Sequence, residues 1–492
     1  SMLEKECMTA GGKLNLSSMT FSADYAFVHA RLEETAEMTG LLAQGHRLPL
    51  TELSDLSPIL DKFSIEGRYL LPEELLELLR ALRIMAELFV FIDNHQEHAP
   101  VLSSIIYPID RQPDLLKAIE KVIDDKGEVK YSASKDLEQM HWKAEGIRKS
   151  LEKKGQQIFD RARKSGWAED TGLSIRDGRI VIPLLSEHRR KIRGVVLDES
   201  AQGRLVYIEP SELLEMNNDL KELEMGIRRE IQRVLKALSL QIAPHQDLFM
   251  TYHAIIGRLD FIHAGALFAR TIEARVPELV DEPSVRWIQA RHPLLWLHHQ
   301  QLRKEVVPLS AELNEKERIL IISGPNAGGK SVCLKTFALL QYMLQCGLAV
   351  PCEEGSRAGL FREIMVDIGD NQSIDNDLSS YTSHLEAMKF FAEHAGKHTL
   401  FCIDELGSGT DPQLGGPIAE GVLRWLNNNK ALGVVTTHFS SIKQFAGKQD
   451  GMRNASMAYD VERLKPLYQL RVGTPGSSYA FEVAEQIGCK KA

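Results

Sequence analysis

At 492 residues, 43% apolar and 26% charged, the chain is long enough for two to four domains with sizeable cores and has an ordinary globular composition. A formal net charge of −9 excludes a surface coated in basic groups, although a local basic patch on an acidic molecule can still hold nucleic acid. The six cysteines form no C-x-x-C pair or zinc spacing, and neither a membrane-length apolar run nor a secretory leader is present. The expectation is a reducing, cytoplasmic setting without a membrane partner.

Residues 1–130 read as a helical core or lever. Leu71-Pro72-Glu73-Glu74 has the form of a helix start, and Leu75, Leu76, Leu78, Leu79, Leu82 and Met85 form an apolar stripe after it. His29, His46, His95 and His98 are scattered and define no catalytic cluster.

Residues 131–245 contain two long heptad segments. Leu137, Ala144, Leu151 and Ile158 recur every seven residues in the first, and Leu213, Leu220, Ile227 and Val234 do so in the second. A helix over 134–164 would be about 45 Å long. The period alone fits internal bundle helices as well as projecting arms, and the segment between them favours arms. There Leu173-Ser174-Ile175-Arg176, Asp177-Gly178 and the run from Arg179 to Leu184 read as a hairpin with a D-G turn. With two further strand patterns at 194–197 and 204–208, this gives a β-rich tip over about 173–210. Arg189, Arg190, Lys191 and Arg193 gather in that tip. They suit contacts to nucleic-acid phosphates, while Glu187, Asp198 and Glu199 nearby equally suit a solvated loop. Residues 246–285 read as a returning helical core, closed by Pro277 and Pro283.

Residues 286–492 carry the chemistry. An apolar strand from Arg318 to Ser323 leads into Gly324-Pro325-Asn326-Ala327-Gly328-Gly329-Lys330-Ser331, and a helical pattern follows through Val332. Strand, glycine-rich turn and helix in this order form a phosphate-binding loop, whose N–H groups surround a triphosphate. Lys330 would reach the β- and γ-phosphates and the Ser331 hydroxyl would sit on Mg²⁺, so ATP and Mg²⁺ are the expected cofactors. Thr399 to Ile403 reads as a buried strand ending in Asp404, a magnesium ligand, and Glu405, a general base. Gln372 is placed to reach the metal or the attacking water, and His438 ends the strand pattern Val434 to Thr437. Ser379 and Ser380 precede a helix, where they fit either phosphate donors or ordinary N-caps.

The phosphate loop, Asp404-Glu405-Leu406-Gly407-Ser408-Gly409-Thr410-Asp411, Thr436-Thr437-His438 and Ala290-Arg291-His292-Pro293 together resemble the MutS mismatch-repair ATPase family. Its bacterial type-two branch is echoed by Asp367-Ile368-Gly369-Asp370-Asn371-Gln372-Ser373, by Arg179 to Pro183, and by Ile208-Glu209-Pro210 with Asn217-Asn218. The resemblance implies a multidomain α plus α/β fold: a helical lever and core, long antiparallel helical arms with a small β clamp, and an ABC-like P-loop ATPase domain. It implies a homodimer in which Ser379 and Ser380 act in trans on the partner's γ-phosphate, Asn326 reorients with nucleotide state, His438 is the switch, and Asp411 faces the partner.

The family's mismatch-reading domain with its Phe-x-Glu wedge has no counterpart here, and the chain stops at Ala492, where type-two members continue into an Smr domain. Neither mismatch reading nor nuclease activity is therefore expected of these residues. The implied function is a dimeric Mg²⁺-ATPase that clamps branched or structured DNA and restrains recombination. The alternative is the same engine acting on stalled or collided ribosomes or RNA. A transporter reading lacks its L-S-G-G-Q signature, and an SMC-type reading would place the long helices after the phosphate loop.

Overall fold

The computed structural model describes residues 2–65, 67–325, 328–369, 380–408, 411–460, 463 and 465–474, together with the backbone but not the side chains of Ser64, Ser380, Tyr381 and Pro412. It is a mixed α/β structure with three sheets among these residues, and none of its helices is long and apolar enough to cross a membrane. Spatial contact groups the chain into two compact units. One comprises residues 1–52, 88–109 and 257–492, and the other residues 53–87 and 110–256.

The second unit is built on helices Lys135–Lys164 and Ser211–Ile242 with a four-stranded sheet between them in sequence. Ser134 caps the first helix by accepting from the Leu137 N–H, and its hydroxyl donates to Glu230 on the second. The heptad residues Leu137, Ala144, Leu151 and Ile158 are buried, as are Leu213, Leu220 and Val234. Ala144, Leu151 and Ile158 share a core with Leu213 and Leu220, and Arg148 on the first helix bonds Glu224 on the second at 3.1 Å.

The sheet strands are β1 (Ser174–Arg176), β2 (Arg179–Leu185), β3 (Gly194–Glu199) and β4 (Leu205–Pro210), in the order β1-β2-β4-β3 with every pair antiparallel. Asp177 and Gly178 both have positive φ, 49° and 75°, which is the backbone a two-residue I′ hairpin requires. Gly155 allows the sheet to approach the first helix, because a Cβ there would stand 3.3 Å from Ile180 of β2. Buried Glu209 and Asn217 tie the sheet to the second helix. The Asn217 side chain accepts from the Ile180 N–H and donates to Glu209, and Arg179 bridges Glu209 and Asn218. Glu209 and the Asn217-Asn218 pair are thus one hydrogen-bonded joint, with the buried polar groups satisfied by each other.

The first unit has two sheets. Strands β5 (Glu278–Leu279), β6 (Val285–Ala290), β7 (Leu309–Leu313) and the later short strand Arg357–Ala358 form one; β8 (Glu317–Ser323) belongs to the other. Strand β9 is Arg357–Ala358, and β10 (Glu363–Asp367), β11 (Thr399–Ile403), β12 (Leu432–Thr436), β13 (Gly451–Asp460) and β14 (Lys465–Val472) complete the chain order. The central sheet runs β10-β11-β12-β8-β13-β14, parallel except for the final edge pair.

Both faces of this sheet are covered, which accounts for the continuous apolar runs in β8, β11 and β12. Leu320, Ile322, Cys402 and Val434 face the helix Lys330–Gln345, with Leu334, Phe337 and Leu340 in the same core. Ile319, Ile321, Phe401 and Val435 face the other side, with Phe391, Leu423 and Ile442 from the helices Ser380–His394, Pro412–Asn428 and Ser440–Ala446. Asp367 pairs with Ile403, Ile403 with Val435, and Thr436 with Ile322, so four strand ends lie side by side. In parallel α/β sheets that edge is where ligands bind.

Candidate functional site

The loop after β8 starts and ends on glycines that no other residue replaces without strain. Gly324 has φ 134° and Gly329 has φ 91°, and a Cβ on Gly328 would stand 3.2 Å from that of Met457. This backbone delivers Lys330 to the first position of its helix with its side chain only 2% exposed. The Lys330 Nζ donates to the Gly324 carbonyl at 2.7 Å and lies 3.2 Å from His438 Nε2.

Burial lowers the Lys330 pKa to about 8, against the opposing pull of Glu405 and Asp404. Burial, then the neighbouring Lys330 charge, also hold His438 below the usual imidazole range. A neutral imidazole accepting on Nε2 from a charged Lys330 is consistent with both directions. A polyphosphate would keep Lys330 charged where the empty loop lets it deprotonate. Affinity for a nucleoside triphosphate is therefore expected to be flat below about pH 7 and to fall above about pH 8, by up to about tenfold per pH unit. Calorimetry in two buffers of different ionisation enthalpy should detect proton uptake on the falling limb. Constant affinity across that range would contradict the lysine's lowered pKa.

Asp404 and Glu405 follow β11 directly, and Asp404 is buried. The Thr436 hydroxyl at the end of β12 donates to the Asp404 carboxylate and accepts from the Glu405 N–H at 2.8 Å. One threonine thus orients both carboxylate residues. Glu405 takes φ 51°, an unfavourable backbone for a non-glycine residue, and directs its carboxylate to within 3.9 Å of His438 Nε2.

Lys330, His438, Glu405 and Asp404 therefore converge on one edge, with Ser331 and Val332 in the first turn of the loop's helix. Ser331 is half-buried and Val332 is exposed. Asn326, Ala327, Gln372 and Ser379 lie outside the described residues, as does the Ser380 side chain; Ser380 opens its helix and Asp411 caps the next, accepting from the Gln413 N–H. The donors available to a metal, the Asp404 carboxylate and the Ser331 hydroxyl, are hard oxygens of the kind Mg²⁺ takes.

Three features were not anticipated from the sequence. One is the double role of Thr436. Another is a hydrogen bond of 2.7 Å from His384 Nδ1 to Asp367 Oδ2 at the end of β10, which needs the strand register to be seen. The third is a cavity of about 520 Å³ opening beside Gly329 and walled by His292, Leu295, Val307, Val332, Thr336 and Tyr468. Its walls are mainly apolar and it opens beside the glycine-rich loop, the setting in which a flat ring ligand is held. The His292 side chain shapes one wall by accepting from the Leu295 N–H at the start of the Pro293–Leu302 helix.

The basic group in the small sheet is a separate candidate. Arg189, Arg190, Lys191 and Arg193 are all exposed between β2 and β3, and none makes an ion pair among the described residues. Of the neighbouring acids, Asp198 is bonded to Arg176 at 2.9 Å and Glu187 lies 3.4 Å from His188. One of the three acids that would have compensated the stretch, Asp198, is thus engaged elsewhere. The adjoining edge strand β3 is exposed along most of its length.

Residues 320–492 match the family model described as MutS domain V. Over nearly the full chain, the sequence is 34% identical to the endonuclease MutS2 of Symbiobacterium thermophilum (99% of this chain, 60% of the relative). It is 35% identical to that of a Geobacillus species (97% and 60%). A third relative of the same name, from Pelotomaculum thermopropionicum, is 37% identical over 86% of this chain and 53% of its own length. The chain thus spans about 60% of the length of the first two.

Proposed function

The chain belongs to the MutS family, in its MutS2 branch, and from that premise we propose that it is a Mg²⁺-dependent ATPase that works as a homodimer to clamp branched or structured DNA. The observation that carries the catalytic part is the convergence of Lys330, His438, Glu405 and Asp404 at the parallel strand ends. The endonuclease in the relatives' name is a property attributed to those longer proteins.

In this reading the loop Gly324 to Ser331, with Val332 behind it, cradles the phosphates, and the Tyr468 cavity takes the base. Lys330 neutralises charge as it develops on the transferred group. Glu405 accepts the proton of the attacking water, and neutral His438 sits between that carboxylate and Lys330. Ser331 and Asp404 would hold Mg²⁺, which when bound offsets phosphate charge. Thr436 keeps the Asp404 carboxylate and Glu405 backbone in place throughout. Gln372 would help hold the water, Asn326 would respond to nucleotide state, and Ser379 and Ser380 would complete the partner's site.

The DNA part rests on the uncompensated basic loop. Removing Arg189, Arg190, Lys191 and Arg193 together is expected to weaken binding and to flatten its log–log salt dependence by about three to four. Competition between a DNA four-way junction, linear duplex and purified ribosomes, at stated salt, tests the target. Junction preference supports the DNA clamp, preference for ribosomes moves the same engine to translation, and equal binding to junction and duplex removes the branched-DNA reading.

A further inference from the structure

His384 and Asp367 take no part in the chemistry assigned above, yet they form a hydrogen bond of 2.7 Å with side chains only 14% and 11% exposed. Asp367 is the last residue of β10, and its backbone carbonyl accepts from the Asp404 N–H at 2.8 Å. His384 lies four residues into the helix that Ser380 opens, so positions 380 and 384 share one helix face. A short series of contacts therefore runs from the Asp404-Glu405 end of β11, through Asp367, to the start of the second turn of the Ser380–His394 helix.

We propose that the His384–Asp367 pair is a positioning device for the serine end of that helix, and that it serves the nucleotide held by a second copy of the chain rather than its own. The inference rests on the composite-site reading and adds the group that holds the donated element in place. Its physical basis is that the first turn of a helix is its least constrained part, since its N–H groups lack intrahelical partners. A largely buried bond to the sheet at position 384 fixes both the rotation and the height of that turn. A carboxylate so enclosed, left without its donor, would draw in water or another partner and release the helix. The strands beneath the chain's own Lys330, Asp404 and Glu405 also pair with one another, β11 with β12 and β12 with β8, and the Asp404 N–H meets only the backbone carbonyl of Asp367, not its side chain.

The test separates action in trans from damage in cis. His384→Ala alone is expected to lower ATP turnover by about a hundredfold, the scale of an ångström-level misplacement, with ATP affinity little changed. Adding excess Lys330→Ala chain, itself inactive, should form mixed dimers in which an intact helix completes the loop of the His384→Ala chain. Turnover should then recover to near the wild-type rate per intact loop. His384→Asn keeps a donor near the Nδ1 position and should need no rescue, and His384→Leu preserves volume if the alanine variant folds poorly.

Ser379→Ala/Ser380→Ala mixed with the same Lys330→Ala chain is the control. If that mixture recovers and neither the His384→Ala nor the His384→Leu mixture does, the positioning role in trans is wrong while the composite site stands. If no mixture recovers, the composite site falls and this inference with it. Wild-type turnover by His384→Ala would also overturn it.

Discussion

Lys330→Ala is expected to lower ATP turnover by about a thousandfold and to remove ATP-dependent thermal stabilisation. The size follows from where the charge sits. The Nζ is out of water, pinned by the Gly324 carbonyl and His438, and close to both carboxylates at the strand ends. In such a site a charge acts on developing phosphate charge with little solvent screening and no reorganisation. Burying that ammonium without a nucleotide is a cost, visible in its lowered pKa. The unliganded alanine variant should therefore melt at or above the wild-type temperature, and only the shift caused by ATP should vanish. Thermal scans with and without Mg·ATP, beside a turnover assay, measure both. A variant that still hydrolyses ATP within about tenfold of wild type would remove Lys330 from the site.

Glu405→Gln is expected to behave in the opposite way: ATP binding survives and hydrolysis falls by about 10²- to 10⁴-fold, the usual worth of a positioned base. The substitution changes neither side-chain length nor the Glu405 N–H bond to Thr436, so the left-handed backbone there persists. What is lost is the carboxylate beside His438. The trapped protein should accumulate as a closed, ATP-loaded dimer, measurable by sedimentation and by retained nucleotide after rapid desalting. Near-wild-type turnover would exclude Glu405 as the base.

What could be read from the sequence is what is local in it. The glycine-rich loop, the apolar strand ending in Asp404-Glu405, the D-G turn at Asp177-Gly178 and the heptad burial of Leu137 to Ile158 each follow from neighbouring residues and a known period. The groups that escaped notice are brought together by register and packing. Thr436 reaches Asp404 only because β11 and β12 pair in parallel, and His384 reaches Asp367 only where its helix returns to β10. The cavity beside Gly329 draws His292, Val307 and Tyr468 from three separate stretches. The unit boundaries depart from chain order for the same reason. Asp260, in the helix Gln246–Thr271, accepts from the Thr9 N–H and hydroxyl, and Gln345 at the far end of the loop's helix bonds the Ser22 carbonyl, tying the amino-terminal helices to the nucleotide sheet.

The basic loop illustrates a different kind of change. On charge alone, the acids at 187, 198 and 199 made a solvated loop and a phosphate contact equally good readings. The Arg176–Asp198 pair shifts that balance toward uncompensated positive charge. Sequence reading counts charges, whereas the structure shows which of them are already paired.

The most direct test of the shared site is the ATPase rate per chain across a dilution series, with the monomer–dimer balance followed in parallel by sedimentation in the presence of Mg·ATP. A site completed by a second copy requires the rate per chain to rise with concentration and to level off where the dimer saturates. A rate per chain that stays constant down to concentrations at which only monomer sediments would contradict it.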